Sequence, residues 1–204
     1  HVVAEDGSRT TILDRPVAAV FDDNAGGLVF QYERTSADYL RTRQNTTLLP
    51  PESAETAAIW HLPAGATEPV VLLGSDDPAD RWFSLQDVAV TESGPLVAYY
   101  EMIGPSACDP DAGCSEYRSS DASLLDLRTR ARTTVEGAGG GTDGLLRVGD
   151  GFIVHSWLGN DHGALSRSTF EGERIESTCD IDCPVTFSDV VDIDRWAGLT
   201  LAGN

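Results

Sequence analysis

The sequence predicts an all-β protein built from a repeated antiparallel unit, and three observations carry that prediction. Apolar and polar residues alternate with period two along most of the chain, clusters of Gly, Pro, Asp and Asn punctuate these runs, and no segment sustains an apolar stripe at helical spacing. With 204 residues, 41% hydrophobic and 23% charged, the chain is long enough to bury one substantial core. Its longest apolar runs, such as Pro69-Val70-Val71-Leu72-Leu73, fall well short of the ~20 residues a membrane-spanning helix requires.

Taken in order, the elements fall into two alternating hairpin types. The first type opens the chain, where His1-Val2-Val3-Ala4 and Arg9-Thr10-Thr11-Ile12 flank the polar turn Glu5-Asp6-Gly7-Ser8. The second follows, with Ala18-Ala19-Val20-Phe21 and Leu28-Val29-Phe30-Gln31-Tyr32 around a turn rich in Asp, Asn and Gly. The first type returns at 59–70 and, without a gap in register, at 124–135, where Arg132-Thr133-Thr134-Val135 matches Arg9-Thr10-Thr11-Ile12. The second type recurs at Val88-Ala89-Val90 with Leu96 to Tyr100, and at Leu145 to Val148 with Phe152-Ile153-Val154. Its last copy is Val190 to Ile193 with Leu199-Thr200-Leu201. Each second-type hairpin supplies strands a and b of a unit and each first-type hairpin strands c and d. In the third c–d hairpin, 164–177, Arg167 and Arg174 stand where apolar residues are expected.

This rhythm resembles that of a β-propeller, of the broad secreted class of TolB-type and WD40-like repeat proteins. The resemblance implies one domain over 1–204 made of four-stranded antiparallel blades, about four blade-equivalents in all. Three are complete, at 14–73, 87–136 and 143–177, and a composite one joins 189–204 to 1–13. The ring either closes on itself through that composite blade or forms part of a larger propeller. Antiparallel order places the tight a–b and c–d turns at one end of every blade and the b–c and d–a connections at the other. The long insertions, 33–57, 74–86, 101–122 and 178–188, are all of the second kind, so function is expected at that end. The Gly-rich stretch 139–144 reads as a flexible d–a loop, since no helix follows it to receive a phosphate.

Charge narrows the partners. Thirty-three acids against fourteen bases give a net charge of −19, and every base is an arginine. Such a surface repels nucleic acid and anionic lipid, leaving Arg128-Thr129-Arg130-Ala131-Arg132 as a local exception on a tight turn. The cysteines form two close pairs, Cys108 with Cys114 and Cys179 with Cys183, whose spacings do not match a zinc ribbon. Two local disulfides, an oxidising environment and an extracellular or cell-surface location are the expectation. Asn45-Thr46-Thr47 matches a glycosylation acceptor, and a start at His1 fits a trimmed piece of a secreted protein.

Three groups of residues stand out chemically. Asp109, Asp111 and Glu116 surround the first cysteine pair with the alternate-carboxylate spacing that suits calcium, although Gly113 and Glu116 fall earlier than an EF-hand requires. Asp76, Asp77, Asp80, Arg81 and Trp82 mix carboxylates, a guanidinium and an indole in a way that suits a sugar, and they equally describe a solvated turn beside a core edge. His162 lies in a short b–c loop at the same end. No nucleophile elbow or zinc-binding histidine motif is present. The expected function is an extracellular binding or scaffold module that holds a protein or glycan ligand, with calcium as its only expected cofactor. The alternative is a propeller-type hydrolase, a glycosidase or lactonase with carboxylates around the central axis.

Overall fold

The computed structural model describes residues 2–3, 9–10, 13, 15–33, 51, 53–104, 118–119, 122–135, 141–159 and 162–177. They form antiparallel sheets with a single short helix among them. Strands β1 (Val2–Val3) and β2 (Arg9–Thr10) pair as a hairpin, Val2 opposite Thr10. Sheet 1 follows as a meander of β3 (Val17–Asp22), β4 (Leu28–Tyr32), β5 (Ile59–Leu62) and β6 (Val70–Leu73). Sheet 2 runs β7 (Arg81–Thr91), β8 (Gly94–Ile103), β10 (Ser123–Asp126) and β11 (Arg132–Thr134). The two-residue β9 (Arg118–Ser119) pairs with the far end of β8. Sheet 3 is the meander β12 (Gly141–Val148), β13 (Gly151–Gly159), β14 (His162–Thr169) and β15 (Arg174–Ser177).

Both hairpin types of the sequence reading therefore recur as observed pairings: β1–β2, β5–β6 and β10–β11 for the first, and β3–β4, β7–β8 and β12–β13 for the second. The last expected hairpin, 190–201, lies outside the described residues. Three boundaries are corrected. The stretch 74–86 is not one loop, because β7 begins at Arg81, and β8 runs on to Ile103 where a loop from Glu101 was expected. The Gly-rich segment is strand from Gly141 onward, paired with β13.

Sheet 2 is packed on both faces. Val97, Tyr99 and Leu125 meet Val29, Ile59 and Leu73 of sheet 1, while the alternate residues Leu96, Ala98 and Leu124 meet Leu145, Phe152 and Val154 of sheet 3. A bulge between Leu85 and Asp87 shifts the pleat, so that Phe83, Leu85 and Val88 share the face toward sheet 1. Asp87 then receives the Arg147 guanidinium of β12 at 3.1 Å. Phe30, Tyr32 and Leu62 occupy the other face of sheet 1 with Leu13 and Trp60. In sheet 3, Ser166 and Ser168 are buried residues of β14, opposite Val154 and Phe152. Arg167 between them bonds Asp150 at 3.3 Å, which accounts for an arginine in that strand.

The connections differ sharply in length. Those joining β3 to β4, β7 to β8 and β12 to β13, and those closing the β5–β6, β10–β11 and β14–β15 hairpins, are short. The β4–β5 and β8–β10 connections are long. The β10–β11 turn is ordered by Asp126, whose carboxylate accepts the Thr129 and Arg128 amides at 2.8 and 2.7 Å. These bonds hold its pKa below the ordinary carboxyl value. Arg130 in this turn has φ 64, in the left-handed region that costs an L residue about 1 kcal/mol. Arg130→Gly is expected to raise stability by about 0.5–1 kcal/mol, read as a higher urea midpoint at unchanged slope.

Candidate functional site

The end of the sheets that carries the long connections contains a recess of about 240 Å3 between sheets 1 and 2. Five separate segments build it. Ala18 near the start of β3 and Tyr32 at the end of β4 form one side, and Trp82, Tyr100 and Met102 of the β7–β8 hairpin form another. Thr56 belongs to helix α1 (Ala54–Ala57), the four-residue turn that precedes β5. Ser53 caps this helix by accepting the Thr56 amide at 3.3 Å, and Ala57 packs against Trp82 and Met102.

Gln31 fixes the spacing of the two walls. It sits one residue before the end of β4, on the side of the strand that looks toward sheet 2. Its amide nitrogen donates to the carbonyls of Phe83 at 2.6 Å and Thr56 at 3.4 Å, and its amide oxygen accepts the Leu85 N–H at 3.1 Å. One side chain thus satisfies backbone groups of β7 and α1 beside the bulge, where the β7–β8 ladder is interrupted. Beyond Tyr32, Arg15 stacks on the phenol ring at 4.5 Å from its centroid and pairs with Glu55, while the Trp60 indole donates to the Glu55 carbonyl at 3.0 Å.

The residues singled out by sequence distribute unevenly around this recess. Trp82 lines it, only 3% exposed, as part of strand β7 and not of a loop. Arg81 starts the same strand and pairs with Glu101 at 3.9 Å. Asp76 and Asp77 are exposed in the turn before it and Asp80 is partly exposed; none of the three belongs to the lining. That turn is folded on itself: the Asp77 carboxylate accepts the Ala79 amide at 2.8 Å, and the Asp77 carbonyl accepts those of Asp80 and Arg81. His162 opens β14, paired with Gly159 of β13. Cys108, Cys114, Cys179, Cys183, Asp109, Asp111 and Glu116 lie outside the described residues. Among the described residues, no group of three His, Cys, Asp or Glu side chains is arranged to hold a metal ion.

At the opposite end, the β3–β4 turn holds a buried carboxylate. Asp23 accepts the Ala25 and Gly27 amides at 2.8 and 2.7 Å and bonds His61 Nε2 of β5 at 2.9 Å, with only 5% of its side chain exposed. Burial alone would raise its pKa; the His61 hydrogen bond and the two amides outweigh that and hold it below the ordinary carboxyl value. All three partners belong to the turn and the neighbouring strand, so the group ties a hairpin together.

Neither family models nor curated proteins nor solved structures match this chain. The site itself therefore carries the functional argument. Among the described residues its lining contains aromatic residues, a thioether, an amide and hydroxyls, and no carboxylate or imidazole. Of the residues that build it, the sequence reading reached only Trp82. Alternation along β8 places Tyr100 and Met102 on one face, a usable signal, but nothing local pairs them with Ala18, Gln31 and Thr56.

Proposed function

We propose that this chain is an extracellular β-propeller module that binds a protein or glycan ligand at its loop-bearing end, through the recess between sheets 1 and 2. The propeller reading is supported by three meanders packed layer on layer, with first strands β3 and β12 both lying against β7. It is also supported by burial on the outward faces of the stack. Phe30 of sheet 1 and Ile153 of sheet 3 both point away from sheet 2, and both are 0% exposed. A fourth sheet fits there, with β1–β2 as one half and the strand pattern of 189–201 as the other. The calcium expected at Asp109, Asp111 and Glu116 belongs to the same end in this reading, and the two cysteine pairs carry the extracellular assignment.

The observation that carries the binding reading is the composition of the recess. Its volume lies below the ~300 Å3 at which pockets for drug-sized molecules begin, and suits one side chain or sugar ring of a larger ligand. Rings and hydroxyls hold such a group, whereas hydrolysis needs carboxylates close together, and none is among the described residues of this lining. Ala18 is the exposed member of the wall, so Ala18→Arg fills the recess without touching the core. Screening immobilised protein against glycan and peptide arrays is expected to yield ligands that Ala18→Arg loses and Arg130→Gly, at the other end, retains. Ligands bound equally by Ala18→Arg would overturn the assignment of the site.

A further inference from the structure

We propose that the outer edge of sheet 1, strand β6, is a second docking site, distinct from the recess, for an extended segment of another protein that pairs with the strand backbone and carries apolar residues flanked by basic ones. β6 ends the order β3-β4-β5-β6 and, among the described residues, is paired on one side only. Val70 lies opposite His61 on one face of the sheet and Val71 opposite Trp60 on the other. They are 48% and 52% exposed, so the edge is apolar and open on both faces at once. Leu72 and Leu73, buried in the core between sheets 1 and 2, anchor the strand behind them. An edge strand presents a row of backbone donors and acceptors to any further strand, and natural sheets blunt such edges with charge or cover them.

The other two outer edges are protected in these ways. β11 is Arg132-Thr133-Thr134, and Gly172 of the β14–β15 turn packs so closely on it that a Cβ there would come within 2.6 Å of the Thr134 carbonyl oxygen. β15 sets Arg174 and Glu176 on either side of Ile175. β6 carries no charge, and the bulge in its pairing with β5 falls at Leu72, leaving Val70 and Val71 in register. Charge selects the occupant. Between His61 and Arg81 the chain has four carboxylates, Glu68, Asp76, Asp77 and Asp80, and no base. Glu68 is exposed before β6, and Asp76 and Asp77 are exposed beyond it. A second copy paired antiparallel would set these acids against one another, on two bodies that each carry −19. A basic residue at each end of an incoming strand meets a carboxylate instead, while its apolar residues alternate between the faces of Val70 and Val71.

The test titrates the capped peptide Arg-Val-Val-Thr-Val-Arg into the full chain, followed by calorimetry and by hydrogen exchange of the β6 amides. Two further probes are the same peptide N-methylated at its interior residues, which cannot pair as a strand, and the same peptide with Glu in place of both Arg. The parent peptide is expected to bind and to slow exchange in β6, and each altered peptide to bind about tenfold more weakly or worse. Val71→Lys is expected to weaken the parent peptide about tenfold, whereas Ile175→Lys on β15 leaves it unchanged. Ile175 is 54% exposed, so the two variants make the same change of charge at equally open positions. No binding, equal binding of the N-methylated or Glu-flanked peptide, or equal losses in the two variants overturns the proposal. So does a wild-type dimer in sedimentation that Val71→Lys dissociates, because β6 then pairs with its own copy. Binding that Ala18→Arg removes belongs to the recess and overturns the β6 site while leaving the binding reading above in place.

Discussion

Truncating Phe152 to alanine is expected to cost about 3–5 kcal/mol, the largest loss of any single core substitution in sheet 3. Phe152 is 0% exposed, lies between sheets 2 and 3 with Leu96, Leu124 and Val135, and meets the edge of Phe170 with ring centroids 5.3 Å apart. Removing the ring leaves a cavity that the neighbours cannot collapse into, because Gly151 beside it already lies against the backbone of β14. A Cβ built on Gly151 comes within 2.1 Å of the Ser168 carbonyl oxygen. Chemical denaturation distinguishes two outcomes. If the stacked sheets unfold as one unit, the midpoint falls and the slope is kept; if sheet 3 is an independent layer, a separate early transition appears in the variant.

Asp23→Ala is expected to cost about 2–4 kcal/mol, by leaving the buried Gly27 amide without its acceptor and releasing His61 from the β3–β4 turn. The site has no room for relaxation: a side chain on Gly27 would come within 2.3 Å of the Asp23 carboxylate and 2.7 Å of the Leu62 carbonyl. The same carboxylate produces a pH dependence whose sign follows from its lowered pKa. The stabilisation is fully present above the ~3.9 of an unfolded aspartate and is lost as pH falls through the lower folded value. Asp23→Asn keeps the shape and an acceptor but removes the titration. Its stability curve is expected to lie below the wild-type one at neutral pH and to converge on it in acid; parallel curves would show that Asp23 does not contribute.

What the sequence made legible follows from which signals are local. Hairpins are local, so Leu96 to Tyr100 and Leu124 with Leu125 could be placed in strands from the sequence, whereas their burial on both faces of sheet 2 appears only in the structure. The start of β7 was obscured because the bulge at Leu85 and Asp87 interrupts the alternation, making Arg81 to Gln86 look like the tail of a polar loop. The glycines at 141 and 144 hid the start of β12 for a related reason, since backbone pairing there does not depend on side-chain pattern. Helix α1 is too short to have a periodicity, and only Ser53 three residues before Thr56 marked it. The recess was illegible as a site: Ala18 and Met102 meet across two sheets, and adjacency of that kind is created by packing alone.

Gln31 has an evolutionary consequence. Because it grips main-chain atoms of β7, the side chains at 83 and 85 can drift through mutation without losing this attachment, provided the bulge that exposes the amides persists. A fastening of this sort lets a duplicated unit diverge from its neighbour while the two stay docked, and it concentrates the selective constraint on one glutamine. Substitutions at Gln31 should therefore be purged more strictly than those at the larger, better buried residues around it.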